Sequence, residues 1–193
     1  MRRALIVHAS RHGASAGIAE RIGEVLRSEE FEVVVAPASK LPDPAGFDAY
    51  VVGSGVYMGS WLKEGIEFLE RNVETLKTRP TWLFSSGPLP SSTKERPVEE
   101  DRYGGALGPA DGPGSGGRKK IEGLAELIGV RDHRILQGAY DPNDPPKAMS
   151  ERLARMMPAV KNILPEGDFR QWDAIDAWAR EIAEEIAGKV AVG

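Results

Sequence analysis

Apolar residues along this chain fall by turns into short runs and helical stripes. Ala4 to Ala9 (ALIVHA) is a near-continuous apolar run. A strand buried on both faces of a parallel sheet needs such a run, whereas a half-exposed strand would alternate. After Ser10-Arg11-His12-Gly13-Ala14-Ser15, residues Ile18, Ile22, Val25 and Leu26 recur at helical spacing and predict a helix from about Ser15 to Ser28. Phe31 to Ala36 (FEVVVA) predicts a second strand, and Pro37, Pro42 and Pro44 fill the gap before Phe47 with turn signals, leaving no place for a long helix. Asp48 to Ser54 (DAYVVGS) predicts a third strand, and from Ser60 onward Leu62, Ile66, Leu69, Val73 and Leu76 lie on one amphipathic stripe. Thr81 to Ser85 predicts a fourth strand. Ile121, Leu124 and Ile128 mark a further helix, Arg134 to Ala139 a fifth strand, and Trp172, Ile175, Trp178, Ala179, Ile182 and Ile186 the final helix. Strands alternating with helices predict an α/β fold with a parallel sheet and right-handed crossovers.

Two stretches break this rhythm inside what is otherwise expected to be one domain, residues 1–193. Ser91 to Gly117 is dense in Gly, Pro and charge and ends in GGALGPADGPGSGG. Composition of this kind buries too little surface to order itself, so it predicts a mobile insertion after the fourth strand. Its place at a strand end opens two readings, a lid or partner contact carrying Arg96, Arg102 and Tyr103, or a tolerated loop. Asp141 to Asp168 predicts an irregular segment whose apolar-periodic piece (Leu153, Met156, Met157, Val160, Ile163, Leu164) is broken or kinked at Pro158. That piece fits a small helix folded onto the domain or a partner or membrane contact.

Composition narrows the function classes. The chain has 193 residues, 41% hydrophobic and 28% charged, which is ordinary globular make-up and enough for a full core. A formal net charge of −4 argues against a nucleic-acid binder. No stretch approaches a membrane span, and polar residues follow Met1-Arg2-Arg3 too soon for a signal peptide, so a cytoplasmic location is expected, with peripheral membrane contact open. The absence of cysteine removes disulfides, thiolate metal sites and cysteine nucleophiles. No His pair stands at metal-ligand spacing, and no metal is expected. His8 is placed in the first strand as a satisfied core or rim residue, and His133 just before the fifth strand as a surface residue.

Ligands of open α/β sheets sit at the carboxyl ends of the strands, which singles out three loops. The first is Ser10 to Ser15, where Gly13 lets backbone N–H groups turn toward an anion at the positive end of the next helix and Ser10 and Ser15 add hydroxyls. Ser15 is equally suited to cap that helix. The second is Gly53-Ser54-Gly55-Val56-Tyr57-Met58-Gly59-Ser60-Trp61, with flat apolar faces from Tyr57 and Trp61; Trp61 also suits a helix anchor in the core. The third is Ser85-Ser86-Gly87-Pro88-Leu89-Pro90. Together they describe a site for a phosphorylated, planar ring system. No side chain there stands out as a proton donor except Tyr57 and His12, and no catalytic acid or base is assigned.

The residues resemble the flavodoxin family, whose members bind FMN. SRHGAS matches the hydroxyl-and-glycine phosphate loop TxTGxT at Ser10, Gly13 and Ser15. DAYVVGSGVYMGSW is similar to the GxPxYxGxW stretch of the quinone-dependent protoporphyrinogen dehydrogenases and their actinobacterial relatives, as are WLFSSGPLP and GDFRQWDAIDAWAREIAEEI to later parts of that subgroup. His12 stands where relatives carry a hydroxyl, and Gly55 where they often carry Pro. The resemblance implies a doubly wound five-stranded parallel sheet of order 2-1-3-4-5 with helices on both faces. It implies FMN held by Ser10, Arg11, His12, Gly13, Ala14, Ser15, Ser54, Gly55, Val56, Tyr57, Met58, Gly59, Trp61, Ser86, Gly87, Pro88 and Leu89. It further implies an oxidoreductase that oxidises a small molecule such as a porphyrinogen and passes electrons to a quinone. The alternative is an electron-transfer flavodoxin between partner proteins, for which a charge of −4 over 193 residues is mild. A flavin-free regulatory domain is the third reading.

Other doubly wound families fit less well. A dinucleotide-binding domain wants GxGxxG and an acid closing strand two, where this chain has GASAG and Val35-Ala36. GxxxxGK followed by Ser or Thr is absent, as is a GxSxG elbow.

Overall fold

The computed structural model describes residues 1–57, 59–87, 115–141, 143–147 and 166–188. Strand β1 (Arg3–Ala9) leads into α1 (Ala14–Ser28), β2 (Glu32–Pro37), a 3-10 turn (Ala38–Lys40), β3 (Ala49–Tyr57), the short β4 (Ser60–Trp61), α2 (Lys63–Leu76) and β5 (Thr81–Gly87). Then follow α3 (Ser115–Ile128), β6 (Asp132–Gln137), β7 (Ala139–Tyr140), β8 (Gly167–Asp168) and α4 (Trp172–Ala187).

The five main strands are parallel and lie in the order β2-β1-β3-β5-β6. With the hairpin strand β4 set aside, this is the expected 2-1-3-4-5 order. Period-two alternation splits the central strands between two cores. Leu5, Val7, Tyr50, Val52 and Leu83 face Phe68 and Leu69 of α2 and Ile121 and Ile128 of α3. Ala4, Ile6, Val51, Trp82 and Phe84 face Ile18, Ile22 and Leu26 of α1 and Ile175, Trp178 and Ile182 of α4. Strands covered on both faces must be apolar on both, which is why β1 reads as an unbroken run. Arg21 of α1 and Asp176 of α4 add a paired ion contact (2.6 and 2.7 Å) across the second layer, and that pair holds the Asp176 carboxyl below its usual range.

Several boundaries differ from the sequence expectation. β3 continues through Gly55, Val56 and Tyr57 and turns back antiparallel into Ser60–Trp61, so the helix expected from Ser60 starts at Lys63. β5 continues through Ser86 and Gly87, because Ser86 pairs with Gly55 of β3 and Gly87 with Gln137 of β6. Small and hydroxyl-bearing residues read as loop, but each strand has neighbours on both sides that take up its backbone groups. The helix marked by Ile121 begins at Ser115, inside the expected insertion, of which residues 91–114 lie outside the described residues. β6 starts at Asp132 and ends at Gln137, and Ala139 belongs to a separate hairpin strand paired with β8. The apolar-periodic piece over 153–164 lies outside the described residues. Among the described residues no helix is long and apolar enough to cross a membrane.

Candidate functional site

The loop after β1 owes its shape to Gly13, which sits at the helix boundary with a left-handed φ of 88°. A side chain there would be strained, although open space surrounds the position. The Gly13 N–H donates to Ser10 Oγ (3.1 Å), closing the loop on itself. The first helical hydrogen bond runs from Gly17 N to Gly13 O (2.9 Å), and no side chain caps α1. The first-turn N–H groups, Ala14 to Ala16, therefore stand at the positive end of a 15-residue helix with no acid in that turn. Ser15 is buried within the helix and is not its cap.

Gly55 is where three segments meet. A Cβ at that position would stand 3.0 Å from Cε2 of Tyr57, 3.3 Å from Ser15 Oγ and 3.8 Å from the Ser86 carbonyl oxygen. The ends of β3 and β5 and the start of α1 thus come together, and a side chain at Gly55 would press on Tyr57 and Ser15. Ser86 Oγ is buried near Gly138 and has no hydrogen-bond partner among the described residues. Such a group is costly in a dry interior. Tyr57 is half-buried, and the Arg11 guanidinium carbon lies 4.5 Å from its ring centroid, so one ring face is covered from the phosphate-loop side.

The structure separates two residues from this meeting point. Ser54 is wholly buried; its hydroxyl donates to the Gly55 carbonyl (2.9 Å) and accepts from Leu62 N–H (3.0 Å), tying β3 to the entry of α2. Trp61 is 3% exposed, and its indole N–H donates to Ser85 Oγ (2.7 Å). Trp61 is therefore the core anchor of its two readings and offers no open ring face. Val56, Gly59 and Gly87 lie beside the site on β3, its turn and β5, while Met58, Pro88 and Leu89 lie outside the described residues.

His133 is 1% exposed, against the expectation of a surface residue. β6 begins before it, and the register places it opposite Leu83, facing the α2 and α3 core. Ser85 Oγ lies 2.9 Å from His133 Nε2, and the Trp61 and His133 rings meet edge-on at 5.9 Å. Burial pushes the His133 pKa down to about 4, opposed by Asp132 and Glu122. A neutral ring accepting at Nε2 lets the chain from Trp61 N–H through Ser85 O–H run in one direction. Polar Asp132-His133-Arg134 gives no sequence signal of this, because the flanking residues face the other layer, where Asp132 accepts from Arg134 and from Trp178 N–H. His8 is also less settled than expected: its Nδ1 is buried without a partner, and burial lowers its pKa against the opposing pull of Glu20.

The connection after β7 folds back over the loop between β1 and α1. Asp144 Oδ2 lies 2.5 Å from His12 Nδ1, and Lys147 Nζ donates to the Arg11 carbonyl (2.6 Å). Neither residue was legible in the sequence, since 132 and 136 positions separate the partners.

This geometry agrees with the comparisons. The sequence over residues 5–107, more than half of the chain, matches the family model described as flavodoxin domain. No curated protein matches. Among solved structures, a flavodoxin from the domain Archaea is similar over 96% of this chain and 99% of its own, with 15% identity and a TM-score of 0.55. A short-chain flavodoxin associated with a non-canonical PDU bacterial microcompartment gives 14% identity over the same shares and a TM-score of 0.56. The rubredoxin oxygen:oxidoreductase of Desulfovibrio gigas gives 14% identity and a TM-score of 0.57 over the whole of this chain, which spans 38% of that protein. At these identities the structures speak for the fold alone, and with the family match they carry one conclusion: this chain belongs to the flavodoxin domain family.

Proposed function

We propose that the chain binds FMN at the carboxyl edge of its sheet and works as a redox protein in the cytoplasm, its 193 residues forming one domain. The observation that carries this reading is the meeting of Ser15, Gly55, Tyr57 and Ser86 beside an uncapped helix N-terminus. The residues fit the cofactor. An anion is favoured at the start of α1, where Gly13 shapes the loop and Ser10, Arg11, His12, Ala14 and Ser15 surround it. Gly55, Val56, Tyr57 and Gly59 of the β3–β4 hairpin, with Ser86 and Gly87 at the end of β5, would hold the ring, and Met58, Pro88 and Leu89 are assigned to the same site from the sequence. The orphaned Ser86 hydroxyl supplies a partner for a polar ring atom.

When bound, FMN supplies electron transfer, and the protein supplies binding, orientation and access. Ser54 and Trp61 act behind the site: through Leu62 N–H and Ser85 they fix the hairpin that carries Tyr57. The apolar side of Tyr57 excludes water from one edge of the ring. For the finer activity we propose oxidation of a porphyrinogen-type substrate with transfer to a quinone, supported by the resemblance of the Gly53 to Trp61 and Trp82 to Pro90 stretches to that subgroup.

Titration of purified protein with FMN tests the first step. Saturable quenching of flavin fluorescence at micromolar FMN is expected, with release on denaturation; folded protein that leaves micromolar FMN unquenched overturns the reading. For the second step, loaded protein is incubated without oxygen with protoporphyrinogen and a soluble quinone. Quinone-dependent appearance of porphyrin fluorescence is expected. Its absence, alongside reduction by a redox protein, assigns the chain as a carrier.

A further inference from the structure

Helix α3 opens on Ser115-Gly116-Gly117 and carries a further glycine at Gly123, although glycine weakens a helix more than any residue but proline. At Gly116 and Gly123 no steric need explains it: the helix's own backbone aside, no atom of the described residues lies within 4 Å of where a Cβ would stand. Gly117 differs. A Cβ there would stand 2.6 Å from Ser60 Cβ, 2.7 Å from Ser60 Oγ and 2.8 Å from the Gly59 carbonyl oxygen, each closer than van der Waals contact allows. Gly117 lies outside the left-handed region, so its backbone would accept alanine; the space would not. The first turn of α3 is thus laid directly against the turn of the β3–β4 hairpin.

Which side gives way to a side chain decides what Gly117 does. The helix is firmly held: Ile121, Leu124, Ala125 and Ile128 are buried in the core shared with α2, and Lys120 Nζ meets Glu70 Oε1 of α2 at 2.8 Å. Retreat of α3 would pull those packed side chains out of the core together. The hairpin is looser on the facing side. β4 is two residues long, and of these Trp61 is pinned by its indole on Ser85. Ser60 is half-buried at the turn, its hydroxyl on the Trp61 carbonyl (3.3 Å). Ser60 is therefore the residue that moves, and its partner across the hairpin is Tyr57.

We propose that Gly117 is a positioning residue for the flavin ring: the bare first turn of α3 seats Ser60, and through the Tyr57–Ser60 pair it sets where Tyr57 stands at the ring end of the site. The inference rests on the FMN reading above. It gives α3, which the sequence marks only as a core helix, a part in shaping the site from outside it. The ring is common to FMN and riboflavin, so a side chain at Gly117 is felt by both ligands, whereas a change in the loop between β1 and α1 is felt through the phosphate that riboflavin lacks.

FMN and riboflavin affinities of wild type, Gly117→Ala, Gly116→Ala and the double variant Gly117→Ala with Ser60→Gly, measured by flavin fluorescence, test this. The absorbance spectrum of the saturated protein reports the surroundings of the ring, and urea unfolding identifies any variant that fails to fold. Gly117→Ala is expected to lose about tenfold for both flavins, the size of an overpacked contact, and its bound-flavin spectrum to move toward that of free flavin. Gly116→Ala, the neighbouring position in open space, is expected to stay within about twofold of wild type. Ser60→Gly removes two of the three close contacts, so the double variant is expected to regain about threefold over Gly117→Ala. Unchanged affinities in Gly117→Ala with wild type binding FMN, a loss for FMN alone, an equal loss in Gly116→Ala, or no recovery in the double variant overturns this inference and leaves the FMN reading standing. If Gly117→Ala fails to fold, the double variant decides: a loss of about threefold for both flavins supports the inference, and wild-type affinity for both overturns it. Wild type that binds neither flavin overturns both readings.

Discussion

His12 and His133 each pair with a polar side chain brought from far along the sequence, yet they sit in opposite surroundings. His133 lies in the α2 and α3 core, its Nε2 on Ser85 and its ring against Trp61, in a chain of hydrogen bonds closed off from water. His12 lies on a loop at the sheet edge among Asp144, Arg11, Lys147 and Tyr57, partly open to solvent. In the first place burial keeps the ring neutral, outweighing the opposing pull of Asp132 and Glu122, and the network serves shape. In the second a carboxylate is in direct contact, Asp144 Oδ2 at 2.5 Å from Nδ1, and the ring stays half-buried at the sheet edge. A histidine's pattern in sequence does not tell these apart; the depth and sign of its neighbours do.

The largest break in this comparison comes from removing the indole that closes the buried network. Trp61→Ala leaves a cavity in the α2 and α3 core and strips Ser85 of its donor, and is expected to cost about 3–5 kcal/mol. Because β4 pairs with the end of β3, through Val56 with Trp61 and Tyr57 with Ser60, the hairpin should loosen as well. Urea unfolding gives the stability. A loss below about 1 kcal/mol would show that Trp61 is not an anchor. Trp61→Phe keeps most of the volume and should cost about 1 kcal/mol, the hydrogen bond alone.

The next effect is set by pH. His133 has its pKa pushed down to about 4 in the folded protein, against about 6.5 when unfolded. Below pH 6.5 the unfolded chain binds the proton and the folded chain does not, so stability is whole above that value and lost progressively down to about pH 4. His8, lowered by burial too, acts in the same direction. From pH 7 to pH 4 wild type is expected to lose on the order of 3 kcal/mol more than His133→Gln, which keeps an acceptor for Ser85 and carries no charge. Parallel stability curves for the two proteins would mean that water or movement relieves the buried ring.

Much of the frame was legible before any coordinates. The unbroken apolar run of β1 and the stripes of α1, α2 and α4 follow from burial on both sheet faces, and these place the turn from the first strand into the first helix where the structure has it, between Ala9 and Ala14. The ends of β3 and β5 were misread as loops because Gly55, Ser86 and Gly87 have loop-like side chains, while their strand state comes from neighbours distant in sequence. The same cause hid the buried Ser85 and His133 pair, and above all Asp144 and Lys147, whose partners lie 132 and 136 residues away in a stretch read as irregular. Local pattern reports on local geometry; a site closed by a returning segment is written in tertiary contacts.

The smallest effect on stability, and the most selective on binding, is expected at Gly13. Its φ of 88° is one that a β-branched residue adopts only with strain, and among the described residues, its chain neighbours aside, no atom lies within 4 Å of where a Cβ would stand. The cost of Gly13→Val is thus a backbone cost, roughly 1–2 kcal/mol if the conformation is kept. If the backbone relaxes instead, the Gly13 N–H leaves Ser10 Oγ and the turn that presents the first-turn N–H groups of α1 is lost. Either way the damage stays at the phosphate end. The hairpin of β3 and β4 and the end of β5 are held by Ser54, Trp61 and Ser85, none of which touches Gly13 through a hydrogen bond. FMN affinity is therefore expected to fall at least tenfold, about 1.4 kcal/mol, while riboflavin stays near its wild-type value. Flavin fluorescence titration of both ligands decides the matter. Equal losses would mean that the loop shapes the ring site, and the division of this sheet edge into a phosphate end and a ring end would have to be redrawn.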